Sequence, residues 1–171
     1  MKTKIVLALS AMALSCISLS TAAKASDPKL LGTFGDWSAY AYTDSGNKVC
    51  YMASTPIKAE GKYTKRGDII AFITHRPAEG TKNEFSYMTG YPYKDSGNAT
   101  VAINNSKFTL FTQGESAWTT DASTDKKLIE SIRKGSRMIV KGQSKRGTLT
   151  TDTFSLKGSA AAHEAINKEC F

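Results

Sequence analysis

The placement of the cysteines constrains this chain more than any other feature. Its three cysteines are Cys16, Cys50 and Cys170, and Cys16 lies in a stretch typical of a cleaved leader. Removing the leader leaves an even pair, which an oxidising compartment joins as a disulfide. The bridge would close a loop of about 120 residues, tying the start of the folded chain to its end. A redox site would need two cysteines separated by two residues, and this spacing is absent.

Residues 1–25 have the features of a secretory signal peptide. Lys2 and Lys4 precede an apolar run over residues 5–14, and Ala23-Lys24-Ala25 offers the small residues that a signal peptidase requires before Ser26. The alternative is lipidation of Cys16, but Ala13-Leu14-Ser15 lacks the leucine expected three positions upstream. We expect export to the periplasm, and an association with the outer membrane stays open.

The exported chain is moderately basic and has the length of one domain. Loss of the leader lowers the number of Lys and Arg from 23 to 20 against 15 Asp and Glu, for a net charge of about +5. Residues 26–171 are enough for a single domain with a sizeable core. No second stretch is long and apolar enough to span a membrane.

Alternating polar and apolar residues predict a mainly β fold. Two segments instead show helical spacing, residues 125–134 and 159–169, and Gly135 follows the first as a stop signal. Residues 58–67 are polar and are predicted to form a loop. Too few helices are present for parallel crossovers, so we expect an antiparallel sandwich with two short helices, one of them C-terminal. The predicted strands are 34–43, 48–57, 68–76, 84–91, 98–103, 107–113, 136–143 and 148–157.

Several short motifs are spread along the exported chain. They are Gly35-Asp36-Trp37, Val49-Cys50-Tyr51, Thr74-His75-Arg76-Pro77, Ala117-Trp118, the run from Val140 to Gly158, and Cys170. In these residues the chain resembles the invasion-associated locus B family of exported alphaproteobacterial proteins. The resemblance implies an immunoglobulin-like β-sandwich in the periplasm or at the outer membrane, and a link to host-cell invasion, and it carries over no catalytic residues. Ser159 stands where the family has an aromatic residue or leucine, and His163 is a further departure in the last helix.

Two basic clusters are candidate binding surfaces. One comprises Lys58, Lys62, Lys65 and Arg66; the other comprises Arg133, Lys134, Arg137, Lys141, Lys145 and Arg146. Export argues against nucleic acid as the partner, whereas anionic envelope components or an acidic protein would suit the same charge. The simpler interpretation is a solvated surface that keeps the protein soluble. We take Arg137, Lys141, Lys145 and Arg146 as the candidate partner-binding cations.

Aromatic residues supply two further hypotheses. Tyr91 and Tyr93 flank Pro92 in a predicted turn, so we expect both to be exposed and to contact a partner. Most other aromatic residues are interpreted as sandwich core rather than as a sugar- or peptide-binding face. These are Trp37, Tyr40, Tyr51, Phe72, Phe85, Tyr87, Phe108, Phe111, Trp118 and Phe154.

Short motifs for recognition or catalysis are weak. Arg66-Gly67-Asp68 spells an integrin-binding tripeptide, but such a match arises readily by chance, and we expect Gly67 to turn the chain and Asp68 to open a strand. The only histidines, His75 and His163, have no metal-ligand spacing, and no nucleophile elbow accompanies them. We expect no catalytic residue, no metal and no cofactor.

These observations favour a protein that acts by binding. The leading hypothesis is an envelope protein that supports contact with, or entry into, host cells by binding a protein or envelope partner. The alternative is a periplasmic accessory, chaperone-like or envelope-maintaining protein without a direct host role. A hydrolase is the third hypothesis, and it would depend on one of the two histidines.

Overall fold

The computed structural model describes residues 25–171. The predicted signal peptide, apart from Ala25, and Cys16 lie outside the described residues. No helix in the described part is long and apolar enough to cross a membrane. The strands are β1 Lys29–Phe34, β2 Trp37–Asp44, β3 Asn47–Ser54, β4 Lys58–Gly61, β5 Ile70–Arg76, β6 Thr81–Met88, β7 Asn98–Ile103, β8 Ser106–Gln113, β9 Ser116–Trp118, β10 Arg137–Gln143 and β11 Leu149–Ser155. The helices are α1 Ala122–Lys134 and α2 Ser159–Cys170, with one 3-10 turn at Pro77–Glu79.

All eleven strands form one antiparallel sheet in the order β1-β2-β3-β5-β6-β9-β8-β7-β10-β11-β4. The mainly β class with two short helices, one C-terminal, is therefore confirmed. The finer expectation, an immunoglobulin-like division into two facing sheets, is not shown by this continuous order. The predicted loop 58–67 is wrong in its first four residues, because β4 pairs with β11 at the sheet edge. No local alternation marks β4, whose four residues are all exposed.

The sheet curls until distant strands meet. Trp37 at the start of β2 donates its indole N–H to the carbonyl of Ser155 at the end of β11, at 3.0 Å. Tyr87 on β6 likewise donates its hydroxyl hydrogen to Asp152 on β11, five positions away in the strand order. Because sheets twist with a fixed hand, one face of a long sheet can close around a single core. Trp37, Phe85 and Phe154 are fully buried in that core.

Several aromatic residues predicted for the core lie instead on the outer face of the sheet. Tyr40, Tyr51, Phe72 and Trp118 are only partly buried, and Phe111 is 42% exposed. Successive residues of a strand point to opposite faces. The inner positions next to Tyr40, Tyr51 and Phe72 are taken by Ala39, Met52 and Ile73, all fully buried. The prediction assigned these rings to the core because they are aromatic. The position of each residue along its strand instead decides which face of the sheet its side chain lies on.

Helix α1 begins one turn earlier than predicted. Asp121 is its N-cap and accepts a hydrogen bond from the backbone N–H of Thr124 at 2.9 Å. Its apolar stripe of Leu128, Ile129 and Ile132 is buried. Gly135 follows the helix as predicted, and its N–H donates to the carbonyl of Ser131.

Helix α2 is attached to the fold at both ends. Ser159 in its first turn is buried and donates its hydroxyl hydrogen to the carbonyl of Ile132 at 2.9 Å. Cys170 in its last turn forms a disulfide with Cys50 on β3, with the two Cα atoms 6.0 Å apart. The predicted pairing is present, and it joins the terminal helix to the opening hairpin. A 12-residue helix is marginal in isolation, so these attachments hold it in place.

Candidate functional site

A basic cleft lies between four segments that are far apart in the sequence. They are the loop after β4, the turn after β6, the turn between β8 and β9, and the hairpin between β10 and β11. The cleft has a volume of about 680 Å³, within the usual range for ligand sites. Among its lining residues, Glu115 is the only carboxylate. The cations that line it are Lys62, Lys65, Arg66, Lys145 and Arg146.

Backbone contacts fix the walls of the cleft. Gly67 donates its N–H to the carbonyl of Gly90 at 2.9 Å, and Lys145 donates to the carbonyl of Pro92 at 2.9 Å. Gly90 has φ +73°, and a Cβ at this position would lie 2.5 Å from the carbonyl oxygen of Gly67. Only glycine permits this approach at this conformation. The cleft is therefore preformed by main-chain hydrogen bonds.

The floor of the cleft is a buried ion pair. The guanidinium of Arg66 donates from Nη1 and Nη2 to the two carboxylate oxygens of Asp152, each at 2.6 Å. Its Nε donates to the carbonyl of Thr89 at 2.7 Å. Bidentate Arg–carboxylate pairs of this kind are strong and geometrically specific. Burial raises the pKa of the Tyr87 hydroxyl, which also donates to Asp152, and the Asp152 charge raises it further.

Arg66 is therefore not a surface cation. Its side chain is 3% exposed, and its charge is neutralised by Asp152. The prediction that Arg66 belongs to a basic surface cluster was wrong, because the curled sheet brings Asp152 of β11 against its guanidinium. The same contact removes Arg66-Gly67-Asp68 as a receptor motif, since its guanidinium is inside the protein. The chance interpretation of that tripeptide agrees with the structure, although β5 begins at Ile70 rather than at Asp68.

The four candidate partner-binding cations divide into two groups. Lys145 and Arg146 line the cleft, on the exposed turn between β10 and β11. Arg137 and Lys141 are exposed on β10 but do not line the cleft. The structure instead brings Lys62 and Lys65, from the first basic cluster, beside the β10–β11 turn. Sequence proximity could not reveal this meeting, because about 80 residues separate the two segments.

The exposure predicted for Tyr91 and Tyr93 is wrong. Tyr91 is half-buried in the cleft wall, and Tyr93 is 5% exposed. Both rings pack over Gly142 on β10, where a Cβ would lie 2.8 Å from the Tyr93 ring and 2.9 Å from the Tyr91 hydroxyl. The missing side chain makes room for the rings. The Tyr91 hydroxyl is 2.6 Å from the hydroxyl of Thr150, so the pair forms one hydrogen bond beside the cleft.

A second polar cluster, which the sequence did not suggest, surrounds the two histidines. The ring centroids of His75 on β5 and His163 on α2 are 5.6 Å apart. Asn83 joins them, because its N–H donates to His75 Nδ1 and its side-chain oxygen lies 2.7 Å from His163 Nε2. Burial lowers the pKa of each histidine to about 4, with Lys82 adding to the effect at His75 and His75 at His163. Both rings are therefore neutral near pH 7.

The histidine pair lies beside the disulfide, because Cys50 is the register partner of His75 on the neighbouring strand. Phe171 packs edge-on against His75, with ring centroids 5.4 Å apart. Among residues 25–171, no group of three or more His, Cys, Asp or Glu side chains is arranged to hold a metal ion. The pair thus helps to dock α2 onto β5.

Residues 37–167 match the family model described as Invasion associated locus B (IalB) protein. The chain belongs to the invasion associated locus B family. The match begins at Trp37 and contains every segment that lines the basic cleft, whereas Cys170 lies three residues beyond its end. No curated protein matches the chain significantly.

A solved bacterial structure shares the fold. The crystal structure of invasion associated protein B from Bartonella henselae aligns with a TM-score of 0.56 at 13% sequence identity. The alignment covers 84% of this chain and 99% of the Bartonella chain. At this identity the likeness concerns the fold alone.

Proposed function

We propose that this invasion associated locus B family member is an exported, non-catalytic envelope protein whose basic cleft binds an anionic group on a protein or envelope partner. One observation carries the proposal: four exposed cations from two distant segments border one preformed cavity. These are Lys62, Lys65, Lys145 and Arg146. Among the described residues, only Lys145 of the four has a carboxylate within 4.0 Å, at 3.6 Å from Asp95. An exposed pair of this kind contributes little and yields readily to a ligand.

The walls of the cleft offer hydrogen-bond donors as well as charge. The Tyr91 hydroxyl shares one hydrogen bond with the buried Thr150 hydroxyl, and when Thr150 donates, the Tyr91 hydroxyl hydrogen can donate to a ligand. Arg66 contributes indirectly, since its pairing with Asp152 fixes the floor. Lysine and arginine at the mouth would steer an anionic partner toward this floor, and the binding would weaken as salt screens the charges.

Location and host role rest on separate support. A disulfide between Cys50 and Cys170 suits an oxidising compartment, which agrees with the predicted leader and the periplasm. Family membership supports a part in host-cell invasion, at the outer membrane or in the periplasm. The alternative, an accessory role without host contact, predicts the same export as the invasion role, but its partners would be periplasmic proteins.

Three pairs of charge reversals test the cleft. The immobilised protein is incubated with envelope extract, or with vesicles that do or do not contain anionic lipid, and eluted with increasing salt. The cleft variant is Lys145→Glu with Arg146→Glu, and the strand variant is Arg137→Glu with Lys141→Glu. Lys126→Glu with Lys127→Glu, on the exposed side of α1, is the matched control, because it changes the net charge equally.

Loss of capture only in the cleft variant supports the cleft as the binding site. If capture falls equally in the cleft and strand variants, binding belongs to the wider basic surface. If capture falls equally in all three variants, binding depends on the net charge alone. Unchanged capture in every variant would overturn the electrostatic proposal. Cell fractionation of the captured material then separates the roles: an outer-membrane or host-surface component supports invasion, and periplasmic proteins alone support the accessory role.

A further inference from the structure

The outer face of the sheet carries a row of aromatic side chains that the core does not use. The register pairs of five consecutive strands place Ala53, Phe72, Ser86, Trp118 and Phe111 directly opposite one another. Directly opposed residues in an antiparallel sheet share a face. The row therefore runs across β3, β5, β6, β9 and β8 on the side away from the core.

Tyr51, two residues from Ala53 on β3, and its register partner Tyr40 on β2 share this face and extend the row. The extended row consists of two aromatic blocks with a serine between them. In the first block, the Tyr51 ring stacks on Tyr40 with centroids 5.0 Å apart and lies 6.1 Å from Phe72. In the second block, Phe111 and Trp118 stack at 5.6 Å. Only β6 lies between Phe72 on β5 and Trp118 on β9, so the blocks are separated by roughly 10 Å at the usual strand spacing. Ser86 fills the interval.

Each block borders a shallow depression with a distinctive polar lining. The first, of about 360 Å³, includes Asp36 and Ser38 beside Tyr40, Tyr51 and Phe72. The second, of about 390 Å³, includes Glu84, Gln113 and Asp121 beside Phe111 and Trp118. Neither depression is lined by a lysine or an arginine, although the chain as a whole is basic. Both therefore disfavour an anion, in contrast to the cleft.

We propose that this aromatic row binds an uncharged linear glycan strand. A sugar ring has an apolar C–H face, which an aromatic ring covers, and hydroxyl groups at its edge, which carboxylates and hydroxyls bind. Two aromatic blocks with a hydroxyl between them fit a chain of separate rings, with one ring at each block.

Tryptophan fluorescence offers a direct test. The protein has two tryptophans, and Trp37 is fully buried, so a ligand on the outer face acts on the emission of Trp118 alone. The probes are linear oligomers of glucose and of N-acetylglucosamine, from the disaccharide to the hexasaccharide. We expect a saturable change that strengthens with length until both blocks are occupied. No change with any oligomer at millimolar concentration would overturn the proposal.

Tyr51→Ala separates binding at the row from a distant effect. It removes one ring from the first block and leaves Trp118 as the probe, so we expect the affinity for the hexasaccharide to fall about three- to tenfold. The affinity for a disaccharide seated at Trp118 should not change, and Tyr51→Phe should restore binding of the hexasaccharide. Ile57→Ala, at an apolar residue that is 61% exposed and off the row, is the control for lost apolar surface.

Two results would contradict the proposal even if the protein binds sugars. Equal loss of affinity in Tyr51→Ala and Ile57→Ala would place the glycan elsewhere. Capture of an envelope protein that depends on Tyr51, without a response to any oligomer, would assign the face to a protein partner. Urea unfolding of each variant confirms that the fold persists. The cleft reversal at Lys145 and Arg146 should leave glycan binding intact, because the proposal does not depend on the anionic ligand.

Discussion

Asp152 on β11 binds both Nη atoms of Arg66 at 2.6 Å, and the two side chains are only 1% and 3% exposed. The pair connects the loop that follows β4 to the inside of the curled sheet. Asp152 also accepts from Tyr87 on β6, so a single carboxylate joins three segments. Buried ion pairs contribute little net stability when intact, but loss of one partner leaves an uncompensated charge. This asymmetry makes the pair a sensitive test of the fold.

Asp152→Asn should lower the free energy of unfolding by about 3–5 kcal/mol, because the Arg66 guanidinium is left buried without a counter-charge. Arg66→Met should have a cost of similar size. The double variant should cost clearly less than the sum of the single variants, since it leaves neither charge stranded. Urea unfolding of the three variants measures the coupling. Additive losses would show that the two groups act independently.

Loss of the disulfide should destabilise the protein by up to about 4–5 kcal/mol, because the bridge closes a loop of 120 residues in the unfolded chain. The double variant Cys50→Ala with Cys170→Ala tests this in urea unfolding. The wild-type protein with reductant should approach the stability of the double variant, and the variant itself should not respond to reductant. Mass spectrometry showing two free thiols in the periplasmic protein would refute the bridge.

Acidification should weaken the fold through the histidine pair. The pKa of each histidine is about 4 in the folded protein and about 6.5 in the unfolded chain, so the unfolded state binds more protons between these values. The histidine pair therefore does not lower the free energy of unfolding above pH 6.5, and it lowers that free energy progressively as the pH drops toward 4. Two such groups give a slope of up to about 2.7 kcal/mol per pH unit.

His163→Gln should roughly halve this slope, because one of the two titrating groups is removed. Glutamine also keeps a donor toward Asn83, which limits the structural change. Urea midpoints measured from pH 7.5 to pH 4.5 provide the comparison. Parallel curves for the variant and the wild type would mean that carboxylates alone determine the acid response.

Gly90→Ala should both destabilise the protein and weaken binding at the cleft. The substitution places a Cβ 2.5 Å from the carbonyl oxygen of Gly67, in addition to the strain of φ +73°. Gly114→Ala is the matched control, since Gly114 has φ +59° and an added Cβ there would meet no atom within 4 Å. We expect about 1–2 kcal/mol for the control and a larger loss for Gly90→Ala. Similar losses of unfolding free energy in the two variants would show that the close approach of Gly90 to Gly67 adds nothing to the cost.

Local signals in the chain predicted most elements. The predicted strands 34–43 and 48–57 form a hairpin, as do 98–103 and 107–113, and helix α1 stops before Gly135 as predicted. Strands β1, β4 and β9 were missed. β4 is exposed throughout, and β9 has three residues, so neither shows a hydrophobic period; both form only because a neighbouring strand offers hydrogen bonds.

The candidate site was only half predictable. Lys145 and Arg146, which line the cleft, were candidate binding residues on the basis of charge, but the role of Arg66 depends on Asp152, which is 86 positions away. Tyr93 was expected to be exposed because it follows a proline in a turn, and its burial depends on Gly142 of a distant strand. Pairs of this kind leave no local pattern in the chain.

The sequence by itself predicted the leader, and it determined the cysteine pairing, the antiparallel β class, both helices and membership of the invasion associated locus B family. The leader and the even cysteine pair follow from composition and spacing, the β class and the helices from short-range periodicity and turn residues, and the family from its sequence motifs. The tertiary structure alone decided the strand order, the cleft, the ion pair of Arg66 with Asp152 and the outward face of Tyr51 and Trp118. Each of these requires strands that are distant in the chain to meet. Strand register and sheet curvature determine which distant residues make contact, and both result from packing of the whole core.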